Sequence, residues 1–342
     1  MTEHPLARRR WSRFRQNKRA LFSLIIFTSL LMVALFAPII ANDKPIYVSY
    51  KGMPYYPLSE YVSDRDLGGT LPTTADFIDP YTQEQIRQHA SVIWPLILWG
   101  PDTIDYYAEE PFPSPPSARH LLGTDDQGRD ILARLIYGFQ ISILFGLALT
   151  FLSSIIGIFI GAVQGYFGGK TDLIIGRVLE IWGSLPQLFI LIIISGLIMP
   201  GFWSLLLILL LFSWTSLTGV VRAEFLKTRN LEYVKAAKIL GVSDWRIMWR
   251  HILPNAMVAT ITYAPFILAG AIVSLSALDF LGLGMPVGTA GLGDLIRQGK
   301  ENLQAPWIGI TAFVSMTVIL SLLLFIGEGV RDAFDPHTRR QK

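Results

Sequence analysis

Six stretches of this chain are long, apolar and uncharged or nearly so, and they leave few folds open. A helix needs about 20 mostly apolar residues to cross a bilayer, where no water can satisfy backbone N–H and C=O groups. Residues 21–41 meet that length without a charge. Residues 135–169 are also uncharged, and their most apolar part is 141–163. Residues 181–221 are too long for one crossing, and Pro200-Gly201 divides them into two. A fifth run follows Pro254 to position 278, and a sixth lies between Glu301 and Glu328. Only 16% of the 342 residues are charged, against roughly 25% in a soluble domain. There is no cysteine, which excludes disulfides, thiolate zinc sites and cysteine nucleophiles. The fold class is therefore an all-α integral membrane protein with six transmembrane helices. The first run exceeds a signal-peptide core of 7–15 residues and lacks a clean small-x-small cleavage site, so it reads as a retained anchor.

Lys and Arg in short loops set direction. Arg8, Arg9, Arg10, Arg13, Arg15, Lys18 and Arg19 precede the first span. Arg222, Lys227, Arg229, Lys235, Lys238, Arg246 and Arg250 follow the fourth, and Arg331, Arg339, Arg340 and Lys342 follow the sixth. With six crossings all three basic segments share one side, the cytoplasm. The net charge of +3 thus reflects membrane flanks, and nucleic acid is not an expected partner. Residues 42–137 then lie outside. This loop is acidic and rich in Pro and Tyr, and Lys51-Gly52 marks a short hairpin. Its aromatic content favours a small folded cap over disorder.

Residues 230–255 read as two short cytoplasmic helices. Asn230 can cap the first, and Gly241 stands where a left-handed residue ends it. Ser243 can cap the second, with Asp244 placed against its dipole. Pro254 is expected to stop that helix. Ala236 and Ala237 leave a low face for close approach by another surface.

This segment resembles the loop shared by permease subunits of binding-protein-dependent ABC importers, in the form Ala-Ala-x3-Gly with a terminal Leu-Pro. The resemblance implies ATPase coupling through Tyr233, Ala236, Ala237, Gly241, Leu253 and Pro254. Lys235 stands where the family motif has Glu; peptide-type members often carry a basic residue there. Leu122-Gly-Thr-Asp-Asp-Gln-Gly-Arg-Asp130 and Ala133-Arg-Leu-Ile-Tyr-Gly138 resemble the signature before the second span of C-type dipeptide and oligopeptide permeases. Its family positions are Gly123, Thr124, Asp125, Gly128, Arg129 and Asp130. Leu281-Gly-Leu-Gly284 and the run 327–336 match the same group. Ala41-Asn-Asp-Lys-Pro45, Pro111-Phe-Pro-Ser-Pro-Pro116, Leu278-Asp-Phe-Leu-Gly282 and the run 299–307 are similar to the Yej-type branch, whose systems import peptides and the peptide-nucleotide microcin C.

The resemblance implies a non-catalytic permease of the bacterial inner membrane, with both termini cytoplasmic. It would form half of a peptide path beside a homologous second permease, among membrane lipids. A periplasmic solute-binding protein would deliver peptide, and a cytoplasmic ATPase would carry ATP and Mg. No cofactor or metal is expected on this chain. The implied organisation is a basic N-terminus (1–20), first helix (21–41), periplasmic loop or cap (42–137), permease core (138–328) with coupling loop (223–256), and cytoplasmic tail (329–342).

Gly168-Gly-Lys-Thr171 mimics the end of a phosphate-binding loop, but Gln164 occupies the earlier glycine position and a membrane span precedes it. Ionisable residues in spans are costly, so Asp279, Glu180 and the helix-bending Pro186 are candidates for the path. Packing roles remain open for all three. Gly157 and Gly161 have the spacing of a close helix contact. An ion-coupled secondary transporter is the alternative, and it would need coupling acids at mid-membrane.

Overall fold

The computed structural model describes residues 5–334 apart from 109, 199 and 287, with side chains from Arg8 onward. Arg339, Arg340, Lys342 and the end of the 327–336 match lie outside the described residues. In chain order the helices begin with α1 (Pro5–Gln16), α2 (Lys18–Leu35) and α3 (Ala37–Ile40). Strands β1 (Tyr47–Tyr50) and β2 (Met53–Tyr55), helix α4 (Pro80–His89) and strand β3 (Ala90–Ile93) follow. Then come α5 (Ile131–Phe167), α6 (Gly169–Ser184), α7 (Gln187–Leu197), α8 (Phe202–Thr228), α9 (Glu232–Ile239) and α10 (Asp244–Arg246). The last are α11 (Leu253–Phe280), α12 (Leu292–Glu301) and α13 (Pro306–Phe334).

Five helical stretches are long and apolar enough to cross a membrane: α2, α5, α8, α10 through α11, and α13. Counted as one span, the bent pair α6–α7 makes six. This third apolar run is broken rather than straight. Pro186 stands at a 71° bend between α6 and α7. Proline lacks the N–H that would continue the ladder, and its ring crowds the preceding turn. The second span starts at Ile131, earlier than the apolar run alone suggests, because Asp130 caps it by accepting the Ala133 N–H at 2.8 Å.

The described chain divides into two compact units. The helical unit comprises residues 1–29, 142–286 and 316–342. A glycine seam on α5 brings it close against α8. A Cβ on Gly157, Gly161 or Gly165 would lie 2.8, 2.6 or 2.6 Å from the carbonyl oxygens of Trp214, Thr218 and Arg222 on α8. Larger residues there would force the helices apart, so the Gly-x-x-x-Gly spacing serves packing within the chain. Gly168 and Gly169 both have positive φ and turn the chain from α5 into α6. That Gly-Gly-Lys-Thr run is a helix junction, and Gln164 reaches across it to donate to the Asp172 carbonyl at 3.3 Å.

The mixed unit comprises residues 30–141 and 287–315. It departs from a purely helical fold, because β1 pairs antiparallel with β2 and with β3 in the order β2-β1-β3. Lys51 and Gly52 take positive φ at the β1–β2 turn, the two-residue hairpin expected from the sequence. Val48, Tyr50, Val62, Leu67, Phe77 and Ile86 form a core against α4 and the sheet. Part of the long segment after the first apolar run is thus folded around a small core of its own.

Asp79 caps α4 by accepting the Thr82 N–H at 3.0 Å. That bond holds its carboxyl below the ordinary 3.8. The Tyr107 hydroxyl also donates to it, at 3.1 Å, and is itself pushed up. Asp79→Ala is expected to cost about 1 kcal/mol of cap stability. Because the folded-state value is depressed, the contribution is complete above the unfolded value and fades as pH falls through the lowered one. Acid titration of the wild type against the variant, followed by intrinsic fluorescence, checks both statements.

Candidate functional site: the two-helix segment and the buried charge cluster

Two assemblies draw together the residues singled out in the sequence. The first is the segment from α9 to the start of α11, in the helical unit. Arg229 anchors its entry by donating to the carbonyls of Gly165 and Tyr166, both at 3.2 Å. Helix α9 ends in a paired cap. The Gly241 N–H bonds the Lys238 carbonyl and the Val242 N–H bonds the Ala237 carbonyl, both at 3.1 Å. Gly241 sits at φ 77, a region that glycine enters without steric cost. Ala237 is buried and packs near Val242, the apolar contact typical of this cap. Ala236 is exposed. The two alanines therefore have different surroundings: one is turned into the core and the other outward.

Asn230 does not cap α9. The N-cap position is Leu231, and the Asn230 side chain donates back to the Leu226 carbonyl at 3.2 Å. Ser243 holds the N-cap of α10 but makes no side-chain cap bond; its carbonyl accepts from Ile247 at 3.0 Å. Nor does Pro254 end the second helix. A π-helical turn over Ile247–Ile252 carries α10 directly into α11, with Leu253 donating to the Met248 carbonyl. The α ladder is already interrupted by this wider bonding where the proline enters, so the missing N–H and the ring meet a loosened turn. Tyr233 is half committed within the segment. Its hydroxyl lies 3.4 Å from the His251 carbonyl and accepts from Asn255 at 3.1 Å.

Val234, Ala237, Ile247, Met248 and Ile252 are buried and hold the segment against α5 and α8. The Tyr166 hydroxyl on α5 donates to Asp244 at 2.5 Å. On the outward side stand Ile239 at 86% exposure, Leu240 at 81% and Trp245 at 58%. Sequence reading passed over these three. A signal was available for Ile239, an apolar residue that falls off the helical period of Val234 and Ala237.

The second assembly is a buried charge cluster in the mixed unit, built from the run 123–134. Asp125 is fully buried and accepts from the backbone of Gln127 and Arg129, both at 2.9 Å. Its other oxygen takes the Arg129 guanidinium at 2.6 Å and lies 3.4 Å from Arg134. Arg134, also fully buried, donates to the carbonyls of Pro101, Gly288 and Thr289 at 3.0–3.2 Å and pairs with Asp294 at 3.2 Å. His120 lies between Asp130 at 2.9 Å and Asp105 at 3.2 Å. The Thr124 hydroxyl meets the N–H and hydroxyl of Ser114, both at 2.8 Å. Gly123 and Gly128 have positive φ, and a Cβ on either would strike the ring of Trp307 or Phe112. Each of the six family positions thus has a packing or bonding role, and the run ties the 99–130 segment to α5 and α12.

The three path candidates do not come together. Glu180 is exposed on α6 and pairs with Arg177 at 2.6 Å. Pro186 marks the bend. Asp279 is buried at the end of α11 and accepts the Met285 N–H at 2.9 Å, closing the turn after the helix. Among the described residues no group of three or more His, Asp or Glu side chains is placed to hold a metal.

Long apolar helices, a broken third span and a two-helix segment beside the fourth together define an importer-type membrane permease. The chain belongs to the family described as binding-protein-dependent transport system inner membrane component, which matches residues 153–340. The N-terminal TM domain of oligopeptide transport permease C matches residues 5–65. Among relatives, the inner membrane ABC transporter permease protein YejE of Escherichia coli is 53% identical across 97% of this chain and 98% of that one. The peptidoglycan transport system permease protein YejE of Agrobacterium fabrum is 48% identical across 97% and 93%. The oligopeptide transport system permease protein OppC of Lactococcus lactis is 34% identical over 71% of this chain and 84% of its own. A chain of the MetNI methionine ABC transporter, solved facing inward, shares the fold: TM-score 0.52, 16% identity, 59% of this chain and 97% of that one.

Proposed function

We propose that this chain is the permease of an ATP-driven importer for peptides, forming half of the path and hydrolysing no ATP itself. The carrying observation is the outward apolar set Ile239, Leu240 and Trp245 on a segment clamped by buried residues. Large apolar side chains left exposed on a short segment fixed by its own core mark an interaction surface. An ATPase docked there would move α9 and α10, and the continuous helical stretch from Asp244 to Phe280, π turn included, would carry that motion into the membrane. The name of the OppC relative supports peptides as cargo, and one of the two YejE relatives is named for peptidoglycan transport.

The remaining assignments follow from this reading. Both termini and the two-helix segment face the cytoplasm, because the basic residues cluster there. Residues 42–137 face the periplasm, where a solute-binding protein delivers peptide. A homologous second permease completes the path, since one such bundle cannot enclose a peptide-sized route. The test is uptake of labelled tripeptide into proteoliposomes holding this chain with its co-purified partners. Uptake that needs ATP and survives collapse of the proton gradient is expected. Uptake that follows the proton gradient instead would replace this reading with an ion-coupled carrier.

A further inference from the structure

In the sheet of the mixed unit β2 and β3 are the edge strands, and among the described residues no backbone hydrogen bond closes the outer side of β3 beyond Ala90. β3 ends the order β2-β1-β3, and it meets β1 through His89, Ser91 and Ile93. Lys51 donates to the His89 carbonyl at 3.3 Å and Ile46 to that of Ile93 at 2.9 Å. Strand residues alternate in the direction of their backbone groups, so Val92 and Trp94 present theirs to the opposite, outer side. The Ala90 N–H is already spent on the Ile86 carbonyl. A groove of about 790 Å³ runs along this edge, within the range of ligand sites. Val92, Trp94 and Leu96 line it along the strand, with Arg87, Trp99 and Arg119 among the other wall residues.

The charges in the groove favour one ligand chemistry. Arg87, Arg119 and Asp130 are its charged lining residues. Asp130 is buried, with its oxygens taken by His120 and the Ala133 N–H. The Arg87 and Arg119 side chains are 79% and 49% exposed, paired with Glu84 and Asp105. Glu84 and Asp105 do not line the groove, so the charge its wall presents is that of the two guanidinium groups, each offset in part by its carboxylate partner. A free strand edge beside aromatic walls and exposed guanidinium groups suits an extended peptide with a C-terminal carboxylate. The four-residue length of β3 fits a short peptide better than a strand of a folded partner, typically about 5–6 residues.

We propose that this groove binds a short peptide in extended form, adding it as a fourth strand against Val92 and Trp94. The proposal rests on the reading of the chain as a peptide permease and adds a site on this subunit itself.

The experiment uses the assembled transporter with p-benzoylphenylalanine in place of Leu96, which is 87% exposed. The probe is pentaalanine labelled at its amino end, and the readout is light-induced cross-linking to this chain. Unlabelled pentaalanine should compete, and pentaalanine N-methylated at alternate residues should compete about tenfold less well, because it cannot pair with the edge. Val92→Pro removes the outward N–H without touching the β1 ladder and should lower the cross-link by a similar factor. Pentaalanine with a free carboxylate should compete better than its C-terminal amide, and Arg87→Gln, at an exposed position, should shrink that advantage. Equal competition by the methylated peptide, an undiminished cross-link in Val92→Pro, or cross-linking only to a partner protein would overturn the proposal. Pentaalanine uptake by the same preparation separates the two readings. Uptake without a cross-link removes the groove alone, whereas absence of any peptide uptake removes the permease reading beneath it.

Discussion

Gly241→Val will uncouple ATP hydrolysis from substrate while leaving the chain inserted and assembled. Gly241 closes α9 at φ 77, and a Cβ there would meet nothing within 4 Å. The penalty is therefore one of backbone conformation and not of collision. A β-branched residue is driven out of the left-handed region at a cost on the order of 1–2 kcal/mol. The paired cap made by Gly241 and Val242 would open, and Leu240 and Trp245 would no longer be presented together. Stimulated hydrolysis should fall by roughly tenfold or more, the scale of a typical coupling free energy. Gly241→Asn separates backbone strain from side-chain size, since Asn tolerates positive φ; it should retain most of the stimulation. The measurement is ATPase rate with and without peptide-loaded binding protein in nanodiscs. Full stimulation in the valine variant would remove this segment from coupling.

The largest stability effect is expected at Arg134. Its guanidinium is fully buried and supplies donors to three backbone carbonyls and to Asp294, with Asp125 close by. Arg134→Met keeps the apolar stem but strands those acceptors. Removing one partner of a buried ion pair costs about 3–5 kcal/mol. Asp125 keeps Arg129, and Asp294 keeps Arg297, which places the expectation near 3. Arg134→Lys should recover only part, because an ammonium cannot reproduce the planar fork that spans Pro101, Gly288 and Thr289. Denaturant unfolding of the purified chain reads both variants. A loss below about 1 kcal/mol would show that the cluster is not what holds this unit together.

Much of the architecture was legible because it follows from local composition. An uncharged run of twenty residues has few stable fates in water, so residues 21–41 and 141–163 announce helices without any knowledge of their neighbours. Gly241 was readable for the same reason: a glycine after an amphipathic turn marks a left-handed cap. The Lys51-Gly52 hairpin is likewise a local turn. Pro254 misled because its effect depends on the hydrogen-bonding pattern just before it. The π turn over Ile247–Ile252 is selected by packing of Ile247, Met248 and Ile252 into the core. Asn230 misled because a capping side chain competes with other nearby acceptors, and here the Leu226 carbonyl won.

By itself the sequence determined the apolar runs and their helical class, the basic segments, the position of the two-helix segment and the family to which the chain belongs. Each of these rests on residues close together along the chain, where propensity and solvation act directly. Tertiary structure alone decided the roles of individual side chains. It turned Ala237 inward and Ala236 outward, and drew Asp125, Arg129, Arg134 and Asp294 into one buried cluster. It also left the outer edge of β3 bare. These outcomes depend on which distant carbonyl, carboxylate or helix lies against a given residue, and a buried polar group is settled only by its partners.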